Sequence, residues 1–333
     1  MACAFFFGVP LKNGKMEKNR FGGVGLNKKK KAGILGSVLL AATSIGIYFS
    51  NRLMYMKKKD EKLILERETA AGRFDPDHFA TLPKREVLIA SPHGGYTIKA
   101  VLVEPHQTNR YMIICHGVTE NKLNSVKYMN LFLERGFNAV IYDHRRHGES
   151  GGKTTSYGHY EKYDLKAVVD WLKKEKGPDL VLGIHGESMG AATMLLYAGM
   201  LEDGADFYIA DCPFSDFKEL VEYQIKKDLK LPPRLILPIG DLFLRLRDKY
   251  SVKDVSPISV IENIEKPILF IHSRDDKYIL PAMTVALYER KKGPKKLFLA
   301  AKGAHAQSFN ENRKEYERVV DEFLEEHGFV EKA

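Results

Sequence analysis

Five residues, Gly186-Glu187-Ser188-Met189-Gly190, constrain this chain more than any other stretch. Before them, residues 180–184 read LVLGI, a short apolar run suited to a fully buried strand; after them, residues 191–198 read as a helix. A serine on so abrupt a strand-to-helix turn sits in a strained conformation. The residues two positions away on either side must then lack side chains that would clash. Such a turn lifts the Ser188 hydroxyl clear of the sheet and aims the first N–H groups of the helix at whatever the hydroxyl meets. A glycine-flanked serine alone is a common accident; the strand and helix around it give it weight.

The rest of the chain alternates. Residues 86–90 and 96–103 read as a hairpin around Pro92-His93-Gly94-Gly95. Strands follow at 111–115, 138–142, 207–210, 267–271 and 296–300, with helices at 125–135, 161–174, 281–291 and 312–326. An opening hairpin followed by strand–helix repeats implies an α/β fold, a mostly parallel sheet covered on both faces. Residues 213–266 break the pattern with amphipathic pieces at 217–227 and 235–246, split by Pro232-Pro233, and read as a helical cap after the sixth strand. Most of the apolar residues there are expected to pack on the main domain.

The formal charge of +9 hints at nucleic acid, but its location argues otherwise. Residues 1–62 hold thirteen Lys and Arg against three Asp and Glu, leaving the remainder at −1. A near-neutral globular part lacks a nucleic-acid footprint. Residues 1–31 read as a basic disordered tail. Residues 32–50 are nineteen uncharged residues, AGILGSVLLAATSIGIYFS, long enough to span a bilayer. A cleaved signal is the rival, but its apolar region is usually shorter and no good cleavage site follows. Six Lys and Arg precede the run within fifteen residues and five follow it, which leans towards an inside N-terminus and an extracytoplasmic catalytic domain. Residues 51–84 read as a charged stalk, so a chain starting near Asp60 is expected to be soluble and active without its anchor. Cys115 and Cys212 end strands separated by another strand, beyond disulfide reach, and read as small buried hydrophobes.

An activated serine needs a base and an orienting acid, both at strand ends. The last strand runs into Gly303-Ala304-His305-Ala306, and the one before it into Ser273-Arg274-Asp275-Asp276. His305 is the candidate base. Asp275, Asp276 and Asp211 compete as the acid. The order Ser, Asp, His is the one that accompanies this kind of turn. For the oxyanion, one donor is the N–H of Met189; the other comes from the loop His116-Gly117-Val118-Thr119, with Val118 N–H as the choice. The histidine-rich turn Asp143-His144-Arg145-Arg146-His147 lacks the carboxylate or cysteine set of a metal site and reads as structural. No cofactor or metal is expected.

With these residues in place the chain resembles the α/β-hydrolase superfamily, in particular its membrane-anchored bacterial esterase/lipase-like branch related to serine aminopeptidases. The resemblance runs from about residue 84 to the C-terminus. It rests on His116-Gly117, the stretch from Tyr142-Asp143-His144-Arg145 to Gly151-Gly152, residues 186–190, Asp276 and His305. In that family the loop after the seventh strand usually reads H-G-x-x-D; here it reads His272-Ser273-Arg274-Asp275-Asp276, departing at Ser273 but keeping the acid, which selects Asp276. The resemblance implies an eight-stranded sheet in the order 1-2-4-3-5-6-7-8, a cap after strand six, and ester hydrolysis through an acyl-enzyme. The expected substrate is a small-molecule ester or acyl compound. A peptidase or amidase, or a non-catalytic binding protein on the same fold, are the competing readings.

Overall fold

The computed structural model describes residues 27–177 and 179–331. The first 26 residues of the basic tail therefore lie outside the described residues. The chain divides between Ala42 and Thr43 into two units. Helix α1, Lys28–Met54, contains the whole uncharged run and is the one helix among the described residues long and apolar enough to cross a membrane. In the first unit its side chains Ile34, Leu35, Val38, Leu39 and Leu40 are exposed.

The second unit carries the remaining elements. They are α2 (Glu61–Ala70), α3 (Pro76–Thr81), β1 (Lys84–Ala90), β2 (Thr97–Val103), β3 (Arg110–Cys115), α4 (Val126–Leu133), β4 (Asn138–Tyr142), α5 (Glu161–Lys176), β5 (Val181–Glu187), α6 (Met189–Met200) and β6 (Phe207–Asp211). After them come α7 (Phe217–Gln224), α8 (Pro233–Asp248), β7 (Ile268–Ser273), α9 (Pro281–Arg290), β8 (Lys295–Ala300), α10 (Ser308–Glu311) and α11 (Arg313–Glu326). The eight strands form one sheet in the order β1-β2-β4-β3-β5-β6-β7-β8. Strand β2 runs antiparallel to both neighbours and the other pairs are parallel. The hairpin register is Lys84↔Val103 through Ala90↔Thr97.

The central strands β4, β6 and β7 are buried at every residue. Helices cover both faces, so these strands are runs of Val, Ile, Phe and Ala rather than alternating patterns. One side of the sheet packs Ile113, Val140, Ile184 and Phe270 against α5, α6 and α9. The other packs Met112, Ile114, Ile141 and Ile209 against α4 and α11. Between β6 and β7, α7 continues as a π-helical turn at Ile225–Leu229, and α8 follows. Phe214, Phe217, Leu220 and Ile236 of this insertion are buried, whereas Leu235 and Leu242 face out.

Residues 51–84, expected as a stalk, lie packed on the core. Met54, Ile64, Glu68 and Phe74 are buried. The reason is a stripe that starts inside the uncharged run and continues past its end. Gly46, Phe49, Ser50 and Met54 recur at helical spacing, and all four are buried. Gly46 lets α1 meet α8 closely: a Cβ there would sit 2.2 Å from the Phe243 ring. Gly240 answers it, since its Cβ would lie 2.9 Å from Phe49. Arg247 then donates to the Ser50 hydroxyl at 2.5 Å. Residues 51–84 are therefore not a free stalk, and a chain starting near Asp60, expected to be soluble and active without its anchor, would lack the contacts of Phe49, Ser50 and Met54.

Candidate active site

Strand β5 ends at Glu187 and α6 begins at Met189, leaving Ser188 alone on the turn with φ +56°. Few non-glycine residues occupy that region, and those that do are held by their surroundings. The Ser188 N–H donates to Asp211 O at 2.8 Å, and Ser188 O accepts the first bond of α6 from Ala192 N at 3.0 Å. The flanking glycines are required by contact. A Cβ on Gly190 would stand 2.1 Å from the carbonyl oxygen of Cys115, and one on Gly186 would stand 2.5 Å from Ala191 N. Helix α6 is thereby pressed against the end of β3.

His305, in the loop after β8, has its Nε2 2.8 Å from Ser188 Oγ. Its Nδ1 lies 2.7 Å from Asp276 Oδ2, in the loop after β7. An Nδ1–H donated to a carboxylate leaves Nε2 as the acceptor that faces the hydroxyl. Asp276 is itself fixed. Its Oδ1 accepts from Tyr278 N at 2.8 Å and Ile279 N at 3.0 Å, and its Oδ2 also accepts from His272 Nε2 at 3.0 Å. Burial works against charge on Asp276, but the hydrogen bonds from His272 and His305 outweigh it and hold the carboxyl well below the usual carboxylate range. Asp275 points into solvent. Serine, acid and histidine thus stand beyond the carboxyl ends of β5, β7 and β8, where open α/β sheets place their sites.

His272 was not singled out from the sequence; the signal was its position four residues before Asp276, at a strand end. A buried cluster beneath the serine had no local signal at all. Lys127 Nζ lies 2.9 Å from Glu187 Oε2, and the Tyr128 hydroxyl lies 2.8 Å from Glu187 Oε2 and 3.2 Å from Asp211 Oδ2. These groups come from α4, β5 and β6. Asp211 is fully buried, and that burial, with the charge of Glu187 beside it, pushes its carboxyl up to about 7. Its free-chain value is about 3.9. Between those values the folded chain holds a proton that the unfolded chain releases, so stability falls as pH rises through the window. Asp211→Asn removes the titration. We expect its Tm to fall less than the wild type's between pH 5 and pH 8, by several degrees, in a thermal-melt series. Equal slopes would place the pH dependence elsewhere.

Val118 and Met189 line the same cavity as Ser188. Met189 is the first residue of α6, so its N–H precedes the first intrahelical bond. Among the described residues no backbone acceptor takes the Val118 N–H. The cavity they line is narrow, about 130 Å³, and its walls include Phe49, Leu53, Phe217 and Leu220. A second cavity of about 350 Å³ also borders Ser188, and its lining includes the polar side chains of Lys59, Arg67, Glu120, Gln307 and Asn310. Met56, Val118, Ser188 and Tyr278 border both. The carboxylates of this second cavity are already paired: Glu120 with Lys59 and Arg67, Glu68 with Arg67 and Arg73, Glu187 with Lys127.

The histidine-rich turn is structural in its contacts. His144 N donates to His116 Nε2 at 3.0 Å, and His116 stacks edge-on with His144 and His147. Burial pushes all three imidazoles down, which keeps them neutral. No group of three or more His, Cys, Asp or Glu among the described residues could hold a metal. Cys115 and Cys212 are free and buried.

Residues 111–242 match the sequence model of a family described as the alpha/beta hydrolase fold. A Bacillus subtilis (strain 168) protein, the uncharacterized YqkD, is 52% identical over 292 residues, which is 87% of this chain and 95% of that protein. The Pyrococcus furiosus esterase Pf2001 superposes with a TM-score of 0.62 at 25% identity, over 76% of this chain and 94% of its own. Est1E from Butyrivibrio proteoclasticus, solved with ferulic acid bound, superposes with a TM-score of 0.60 at 21% identity over 72% and 98%, a likeness of fold alone.

Proposed function

Because the chain belongs to the α/β-hydrolase superfamily, we propose that it is a serine hydrolase that cleaves a carboxylic ester through an acyl-enzyme. The observation that carries this reading is the continuous relay from Ser188 Oγ through His305 to Asp276, with spacings of 2.8 and 2.7 Å. Ser188 attacks the ester carbonyl while His305 Nε2 takes its proton. Asp276 holds the imidazole in the right tautomer and stabilises the imidazolium. The N–H groups of Val118 and Met189 hold the oxyanion, the kind of donor whose loss costs about 10²–10³ in rate. His305 returns the proton to the leaving alcohol. Water, activated by the same histidine, then releases the acid. His272 is a positioning residue that shares Asp276 with His305.

An aminopeptidase is the second reading: Glu68, Glu120 and Glu187 beside Ser188 each face a cation, but Asp228 of the insertion after β6 lines the Ser188 cavity and is the carboxylate that a free α-amino group would use. The test is a panel of p-nitrophenyl esters alongside aminoacyl amides, with labelling by a fluorophosphonate. Turnover of the esters, with covalent labelling, is the expected result. Turnover of the amides alone would move the assignment to a peptidase, and no turnover or labelling would favour a binding protein.

The chain is a single-pass membrane protein in this reading, anchored by α1, with its catalytic part extracytoplasmic. Gly46, Phe49 and Ser50 pack on α8, so the uncharged residues 32–45, about 21 Å of helix at about 1.5 Å each and preceded by Lys28–Lys31, are the part that would enter the bilayer. We expect the full chain to stay in the membrane fraction through high-salt and carbonate washes. Release by salt alone would mean electrostatic attachment, and a mature form starting shortly after Ser50 would mean a cleaved signal.

A further inference from the structure

The helix that carries the uncharged run does not stop at the edge of the catalytic part. Its last turns supply Phe49, Arg52 and Leu53 to the cavity that opens on Ser188, and Met56 follows just beyond the helix end. Opposite them stand Phe217 and Leu220 of α7. These residues are fixed rather than passing by. Besides the Gly46, Phe49 and Ser50 contacts with α8, Met54 O accepts from Thr155 N at 3.0 Å and Met56 O accepts from Arg146 Nη1 at 2.8 Å. Lys59 N donates to Thr119 O at 3.0 Å, in the loop that carries Val118. The segment is therefore bonded to the loops after β3 and β4 that frame the site. Phe49 and Met54 belong to the same buried cluster as Met189, Phe214 and Phe217.

An apolar slot and a cleft with polar side chains that meet at a nucleophile can sort the two halves of an ester. We infer that the segment from Phe49 to Met56 is part of the substrate site: with α7 it forms the slot for the acyl chain of a long-chain ester of a polar alcohol, and it sets chain-length preference. This rests on the ester-hydrolase reading above. Apolar burial of each further methylene in the slot strengthens binding. The alcohol side faces Arg67, Gln307 and Asn310. The uncharged run is thus divided along its length: Ile34, Leu35, Val38, Leu39 and Leu40 are exposed, and its last turn packs on α8 and walls the acyl slot.

The test uses the full chain in detergent micelles. The probe is a dodecyl fluorophosphonate with a diazirine at the far end of its alkyl chain. Ser188 Oγ forms the P–O bond as fluoride leaves, and light then fixes the chain end to whatever lines the slot. We expect mass spectrometry to find Ser188 modified and the cross-link within residues 49–56 or on α7, with at least part in 49–56. Modification of Ser188 with no cross-link in 49–56 overturns the inference and leaves the hydrolase reading standing. Absence of Ser188 modification overturns that reading, and the inference with it. Kinetics give a second measurement. The wild type should prefer p-nitrophenyl octanoate to the acetate by about ten-fold or more in kcat/KM. Leu53→Trp, which fills the slot, should lower that octanoate-to-acetate ratio at least ten-fold, and an unchanged ratio counts against the inference.

Discussion

Ser188→Ala is expected to lower turnover of a p-nitrophenyl ester by about 10⁶-fold, the scale set by removal of the nucleophile in a serine protease. Nothing else near the site can replace the hydroxyl. Ser188 Oγ is the atom facing His305 Nε2, and the relay ends there. Fluorophosphonate labelling disappears in the same variant. The fold survives, because alanine meets the same φ of +56° and keeps the backbone bonds to Asp211 O and from Ala192 N. A circular dichroism spectrum and Tm close to the wild type's check this. Undiminished labelling of Ser188→Ala, at any other serine, would remove the assignment.

We expect Asp276→Asn to cost about 10⁴ in turnover, the scale of losing the orienting carboxylate of a Ser-His-Asp triad. Asp276 Oδ2 accepts from both His305 Nδ1 and His272 Nε2. An amide nitrogen at that position donates where it should accept. It turns His305 towards the tautomer whose Nε2 carries a proton and cannot receive one from Ser188. The alternative, an amide turned the other way, loses the two backbone donors at Oδ1, Tyr278 N and Ile279 N. Asp275→Asn changes an exposed side chain and leaves turnover within a few-fold. Asp211→Asn acts below the site through Tyr128 and Glu187 and leaves far more activity than Asp276→Asn. A loss at Asp211 equal to that at Asp276 would shift the acid to β6. Initial rates of the three variants at one pH decide among them.

The strands were readable because each is a run of apolar residues with no competing period. The elbow was readable because a glycine stands two positions from Ser188 on each side, although only Gly186 is demanded locally, by Ala191, and Gly190 is demanded by the Cys115 carbonyl at the end of β3. Boundaries moved where packing overrode the local pattern. Strand β5 runs on to Glu187, beyond the expected end at Ile184, because pairing with both β3 and β6 carries it to the turn. The closing helix begins at Arg313, one residue after the expected Asn312, whose side chain donates to Lys302 O at 2.8 Å and Ser308 O at 3.1 Å. Asp276 could be chosen over Asp275 only through the family's loop pattern; composition and spacing left three carboxylates standing.

The sequence by itself determined the α/β alternation, the helical insertion between the sixth and seventh strands, the long uncharged helix and, with three acids still open, the strand ends that carry the candidate residues. Those follow from local signals: apolar period, turn glycines and charge placement. Only the tertiary structure decided that Phe49, Leu53 and Met56 wall the slot beside Ser188, and that Lys127, Tyr128, Glu187 and Asp211 share one buried cluster. A run of uncharged residues carries the same pattern whether it meets lipid or a cap helix. Which part meets the cap depends on Phe243 and Gly240, nearly two hundred residues away in the chain. Contacts across such separations are fixed by how the sheet and cap fold together, and no local period records them.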